Sequence, residues 1–335
     1  MGCARFGYRS IRPHWSSEIG VLKLKNGRII LFGCISLFSC FAFSSESLYT
    51  GVTSRDASVR KSAVEQLPNA FDKLEPADKK ILIAKLLKGM DDVGTMEEGP
   101  GVSEYAQNAL IALGHSAVPD LIQAFRKQNR RSVHNDFPAR VLGRIRPPVK
   151  EVIPDLVSLL RDVYLSPPRG DWAFALGEIG VTSKEVLKAL TDALAYRWPD
   201  IQGGIDLNSY IPIAIALKKL GQPPKAAQRT LEPFLYKVNV YEKIQAADGL
   251  LQLRMGTSQA LETLGAVIGS REYEPAHYEY ALKVLGNAGK IVDPLVPKIV
   301  KLTEARNMYL DKSVVVKALE GIGTKQALAA AEKVR

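Results

Sequence analysis

Apolar residues recur every three or four positions through most of this chain. Tyr105, Ala106, Ala109, Leu110 and Leu113 fall on one face of a helix. Gly114 follows, a helix-ending residue that accepts positive φ. Ser116 is then placed to cap a second helix, with Pro119 in its first turn, where a missing N–H costs nothing. Val118, Leu121, Ile122 and Phe125 give that second helix its own apolar face. The stretch therefore predicts a helical hairpin.

The hairpin recurs. "ALIALG" (Ala109–Gly114) aligns with "VLGRIR" (Val141–Arg146), "ALGEIG" (Ala175–Gly180) and "ALKKLG" (Ala216–Gly221). It aligns again with "GLLQLR" (Gly249–Arg254), "VLGNAG" (Val284–Gly289) and "ALEGIG" (Ala318–Gly323). The leucine in second place returns at intervals of 32, 34, 41, 33, 35 and 34 residues. A near-constant period in the range of about 20–50 residues marks a solenoid. The second helix repeats too: "AVPDLIQAF" matches "VIPDLVSLL" (Val152–Leu160) and, more loosely, "LVPKIVKL" (Leu295–Leu302). Arg146 and Arg254 replace the final glycine, so those two turns are expected to be wider or to end differently. "ASVRKSAVEQL" (Ala57–Leu67) followed by "ADKKILIAKLLKGM" (Ala77–Met90) reads as a divergent first unit.

These motifs, from Ser103 to Arg335, resemble the HEAT or HEAT-like repeat. The resemblance implies an all-α fold, a right-handed α-solenoid of about seven to eight HEAT-like helical hairpins. It also implies a macromolecular-binding scaffold whose second helices line the ligand face. The expected divisions are a leader over 1–45, a divergent hairpin with an acidic glycine-rich loop over 46–102, and the repeat array over 103–335.

The leader departs from the repeat. A basic flank precedes an apolar run, Ile29 to Phe43, and small polar residues follow, which is the order of a secretory signal peptide. Ala42-Phe43-Ser44 offers small residues for a cut before Ser45. The basic region is long for a signal, so Val21 or Leu22 is an alternative start. "LFSC" resembles a lipobox, making Cys40 a lipidation candidate, although Phe38 and Phe41 depart from that pattern. An uncleaved anchor and a buried first helix are the other readings. The expected location is therefore exported or membrane-anchored, with the cytoplasm as the alternative, and any membrane contact is made through the leader only.

Charge adds one feature. The formal net charge is +10; residues 1–40 hold six basic residues against Glu18 alone. In the body, "RKQNRRSVHNDFPARVLGRIRPPVK" carries Arg126, Lys127, Arg130, Arg131, Arg140, Arg144, Arg146 and Lys150 against Asp136 alone. It reads as a solvated connection or as a basic patch for phosphates, anionic lipid or an acidic protein. "YRWPDIQGGIDLNSYIPI" (Tyr196–Ile213) fills the one long interval, and insertions in solenoids fall in loops. Trp198 and Tyr210 there are either exposed aromatic anchors or plugs for the gap the insertion makes. Trp172, after a capping Asp171, reads as core.

Chemistry is sparse. All three cysteines, Cys3, Cys34 and Cys40, lie in the leader, which removes disulfides, a CxxC metal site and a cysteine nucleophile from the body. Val118 stands where a nucleophile elbow needs glycine, so His115 and Ser116 read as turn residues. No HExxH, GxGxxG or P-loop is present, and "DDVGTMEEGPG" (Asp91–Gly101) lacks EF-hand spacing. No catalytic residue, metal or cofactor is expected. A protein partner comes first, a nucleic acid second; an enzyme of the HEAT-like group, such as a bilin lyase or a DNA glycosylase, comes last.

Overall fold

The structure is a computed structural model that describes residues 21–23, 29–31, 44–95, 99–128, 136–162, 169–197, 205–303 and 310–335. The chain divides into two units, Met1–Ser44 and Ser45–Arg335. In the first, β1 (Val21–Lys23) pairs antiparallel with β2 (Ile29–Leu31), Leu22 opposite Ile30. The proposed cut falls between Ser44 and Ser45, both described, with Ser45 buried at the start of the first helix of the second unit. Ala42, Phe43, the rest of the apolar run and Cys40 lie outside the described residues, as do Arg130, Arg131 and Trp198. Among the described residues no helix is long and apolar enough to cross a membrane.

The second unit is an α-solenoid. After α1 (Ser45–Val52) come eight antiparallel hairpins among the described residues. They are α2 (Ala57–Asp72) with α3 (Pro76–Gly89), α4 (Ser103–Leu113) with α5 (Val118–Lys127), α6 (Phe137–Arg144) with α7 (Ile153–Arg161), and α8 (Arg169–Ile179) with α9 (Lys184–Ala195). Then follow α10 (Leu207–Lys219) with α11 (Ala227–Leu231), α12 (Val240–Leu253) with α13 (Thr257–Gly269), α14 (Pro275–Ala288) with α15 (Val296–Leu302), and α16 (Lys312–Ile322) with α17 (Lys325–Val334). The acidic loop holds a two-residue ribbon, β3 (Gly94–Thr95) against β4 (Gly99–Pro100).

Each first helix packs on the first helix of the next hairpin, from α2 through to α16. The repeated leucines form the spine of that stack: Leu110, Leu142, Leu176, Leu217, Leu250, Leu285 and Leu319 are all buried. Each contributes about 1.5–3 kcal/mol on burial. One hairpin cannot close such a core alone, so stability comes from shared interfaces between neighbours. Small residues bring some seams very close. A Cβ added at Gly143 would lie 2.7 Å from Ala175 Cα, and one at Gly177 would lie 2.9 Å from Ala216 Cα.

Several local expectations are corrected. Ser116 does not cap α5; it lies exposed in a 3-10 turn, Gly114–Ala117, that runs straight into that helix. Arg254 does not end its helix differently. It takes φ 57° and ψ 43°, the left-handed conformation that glycine supplies after α16 (Gly323, φ 69°). At the other replacement the expected change is present: the chain leaves α6 in extended conformation at Ile145, and the Arg146–Pro147 bond is cis.

Candidate functional site

The first helices carry a second repeated pattern besides the leucine. The residues two before it in successive hairpins are Arg140, Phe174, Ile215, Asp248 and Lys283. Two after it stand Arg144, Glu178, Lys219 and Gln252; five before it stand Asp171, Pro212, Gln245 and Tyr280. These offsets of three and four residues share one helical face. None of these side chains is buried. They form a stripe across the stack, on the side opposite the leucine spine.

A groove of about 300 Å3 opens along this stripe between α8, α10, α12 and α14. Its floor includes Gly177 and Ala216, where the close helix approach leaves no bulk. Phe174, Pro212 and Ile215 supply apolar walls, and Asn208, Lys219, Gln245, Asp248, Gln252 and Tyr280 supply polar groups.

At the α8 end, three cations surround one half-buried ring. Arg144, Lys219 and Arg140 lie 5.2, 5.6 and 5.9 Å from the centroid of Phe174. Such contacts contribute about 0.5–1 kcal/mol at exposed sites. Lys219 also pairs with Glu178, which in turn accepts from Arg146 at 3.2 Å. Arg140 reaches Asp171 at 3.6 Å. Arg144 is exposed and has no carboxylate partner among the described residues. Four cations thus meet two carboxylates at the surface and a third, Asp136, buried beneath Asp171, leaving one more cation than carboxylates at this end.

The α12 end holds a carboxylate, Asp248, with the exposed Lys283 near enough for its charge to act on it. Asp248 accepts a hydrogen bond from Gln252 Nε2 at 2.9 Å. Burial pushes its carboxyl above the ordinary range, against the pull of that bond and of the Lys283 charge. Burial, helped by the Asp248 charge, pushes the Tyr280 hydroxyl up to about 12. Between the two ends Gln245 Nε2 donates to Asn208 Oδ1 at 2.8 Å, tying α12 to α10. The groove is therefore open and apolar in the middle, with a positive end and an end holding a partly buried carboxylate.

Beneath the positive end lies a buried polar network. Asp136 is 0% exposed. Its Oδ2 accepts from Trp172 Nε1 at 2.8 Å, and its Oδ1 accepts from the Ala139 N–H at 3.1 Å, capping α6. The Asp136 N–H donates to Asp171 Oδ2 at 2.7 Å. Asp171 thus joins two hairpins instead of capping its own helix as expected. Burial, with the nearby Asp136 charge, raises its carboxyl to about 6 despite that hydrogen bond and Arg140. Trp172 is core, as its spacing implied.

The described cations of the basic stretch do not form one patch. Arg126, on α5, is held by Asp155 of α7 at 2.8 Å. Arg140 and Arg144 lie against the Phe174 ring at the edge of the groove without lining it. Arg146 clamps the turn, donating to Gly143 O and Ile145 O as well as to Glu178. Lys127 and Lys150 are exposed on other elements, the end of α5 and a 3-10 turn. Three of the cations are thus partly neutralised, and the set is spread over first helix, turn and second helix. Tyr210 is 6% exposed and belongs to the core around α10, so it plugs and is not an exposed anchor. His115 sits in a turn with Nε2 2.8 Å from Pro147 O of the next hairpin. Among the described residues no group of His, Cys, Asp and Glu is arranged to hold a metal ion.

Sequence reasoning placed the ligand face on the second helices; the groove lies on the first. Phe174, Lys219, Asp248 and Tyr280 were missed. The signal was present as polar or aromatic residues at fixed offsets from the repeat leucine, visible only once the repeats are aligned in register.

No protein-family model matches the chain, and no curated protein matches it. Among solved structures, the chain is similar to a chain of the complex of CpcE and CpcF of phycocyanin lyase from Nostoc sp. PCC7120. Identity is 18%, with 90% of this chain and 98% of that one covered, at a TM-score of 0.38. It is also similar to Kap121p, with 12% identity, 87% of this chain and 31% of that one covered, and a TM-score of 0.33. A Kap121p triple mutant gives the same identity and score. Likeness at this level says nothing of ligands.

Proposed function

We propose that the chain is a non-enzymatic scaffold that binds a protein partner along the exposed face of its first helices. The observation that carries this is the groove from Phe174 to Tyr280, lined from four successive hairpins, where an apolar trough is flanked by polar groups from three of them. Solenoids present such extended surfaces because each repeat adds one more set of side chains in register. An open trough suits a macromolecule better than a small molecule, which is normally 70–90% enclosed. Nucleic-acid binding through residues 126–150 draws less support, because Arg126, Arg140 and Arg146 each have a carboxylate partner. A cell-envelope location rests on the residue order of the leader alone.

The test compares proteins captured from native cells by the wild-type chain and by Phe174→Glu, with Lys188→Glu on α9 as a second-helix control. Matched melting curves establish that all three are folded. The scaffold reading expects partners held by wild type and Lys188→Glu and lost by Phe174→Glu. The same set on all three would refute it.

A further inference from the structure

The geometry points to the kind of ligand this groove takes: an extended peptide segment of mixed charge, with an acidic side chain at the α8 end and a basic or amide donor at the α12 end. The inference rests on the scaffold reading above and specifies its chemistry.

Three observations carry it. The first is charge asymmetry. Arg144 leans on Phe174 with no carboxylate partner among the described residues, and Lys219, itself paired with Glu178, lies against the same ring. Together they form a seat for a carboxylate that also packs on the ring. At the other end Asp248 has one hydrogen-bond donor, Gln252, and no ion pair within 4.0 Å among the described residues; Lys283 acts on it only from beyond that distance. A half-buried carboxylate so placed is better satisfied by an incoming N–H or ammonium group than by bulk water.

The second observation is length. Neighbouring packed helices lie about 8–10 Å apart, so α8 to α12 spans roughly 16–20 Å. An extended chain rises about 3.3 Å per residue, so five or six residues bridge the two ends. A duplex or a folded domain would touch one end or arch over both.

The third is the middle. Phe174, Pro212 and Ile215 leave room for a few apolar side chains, and the Asn208–Gln245 amide pair lies at the rim of the same groove. Side-chain amides both donate and accept, which suits a peptide backbone passing over them. A polyanion would meet Asp248 unfavourably, and a polycation would meet Arg144 and Lys219.

The test is selection of phage-displayed random heptapeptides on the full chain, followed by fluorescence anisotropy of the enriched peptides as synthetic probes. The expected consensus holds an acidic and a basic residue about five or six positions apart around an apolar centre. Arg144→Glu should weaken the consensus peptide about tenfold, as loss of a charge-assisted contact does. It should leave a version with the acidic residue replaced by alanine unchanged. Asp248→Asn should cost the peptide its dependence on the basic residue. Both substitutions lie on the exposed face, and unchanged thermal midpoints would confirm folding. Several results would overturn the inference: no enrichment, a consensus of a single charge sign, or a consensus peptide displaced by a single-stranded DNA octamer at equal concentration. A consensus found in the chain's own sequence would make the groove a seat for its leader or a second copy, and would overturn it too. If no peptide is selected while Phe174→Glu still loses captured partners, the scaffold reading stands and only the peptide chemistry falls.

Discussion

Asp136→Ala should cost more than any surface charge in this protein. The carboxylate is fully buried and, among the described residues, accepts from the Trp172 indole N–H at 2.8 Å and the Ala139 N–H at 3.1 Å. Alanine removes both acceptors. A buried, unpaired indole N–H costs about 1–3 kcal/mol, and loss of an N-cap costs about 1 kcal/mol. The expected destabilisation is about 2–4 kcal/mol. Urea titrations followed by circular dichroism would read this as a lower midpoint at unchanged slope. Trp172→Phe provides the control, because phenylalanine has no donor to orphan. In that background Asp136→Ala should cost less by the orphaned indole, about 1–3 kcal/mol, while still losing the cap. The coupling between the two sites would then be about 1–3 kcal/mol, as expected for side chains in direct contact. An equal cost in both backgrounds, or a total below about 1 kcal/mol in the wild-type background, would refute the network.

Other outcomes follow from the same geometry. Asp171 has its carboxyl raised to about 6 from an ordinary 3.8. The stability associated with its protonated form is fully present below the unfolded value and is lost as pH rises through 6. Asp171→Asn should match wild type near pH 4 and exceed it near pH 8 by about 2–3 kcal/mol, from about 1.4 kcal/mol per pKa unit; parallel urea midpoints that keep a constant gap across this range would exclude it. Arg254→Gly should raise stability by up to about 1 kcal/mol, because a non-glycine residue in left-handed conformation costs about 1–2 kcal/mol and glycine returns part of that as chain entropy; a lower urea midpoint would contradict it. Leu176→Asp, flanked by hairpins on both sides, should lower the urea midpoint more than Leu319→Asp in the last hairpin, and equal midpoints would count against a stacked array.

The hairpins were legible because their physics is local. Leu110 and its six counterparts repeat at near-constant spacing. Helix-terminal glycines such as Gly180 and first-turn prolines such as Pro119 and Pro154 mark the same boundaries in sequence and in space. Helix periodicity and turn chemistry act over a few residues, so the order α4 to α17 could be read directly from the chain. The described cations of the basic stretch are spread over different elements for the opposite reason. Its cations are close in sequence, but a helical hairpin sends successive segments to different faces. Arg126 therefore finds Asp155, 29 residues away, and Arg146 finds Glu178, 32 residues away.

The sequence by itself determined that this chain stacks helical hairpins around a leucine spine, because one repeat cannot bury its apolar face without the next. Only the tertiary structure decided which exposed residues meet. The groove belongs to no single repeat: Phe174, Lys219, Asp248 and Tyr280 come from four hairpins and are brought together by the packing of α8, α10, α12 and α14. That packing depends on how closely neighbouring backbones approach, as where Gly177 meets Ala216. A distance of that kind between residues far apart in the chain has no expression in local periodicity.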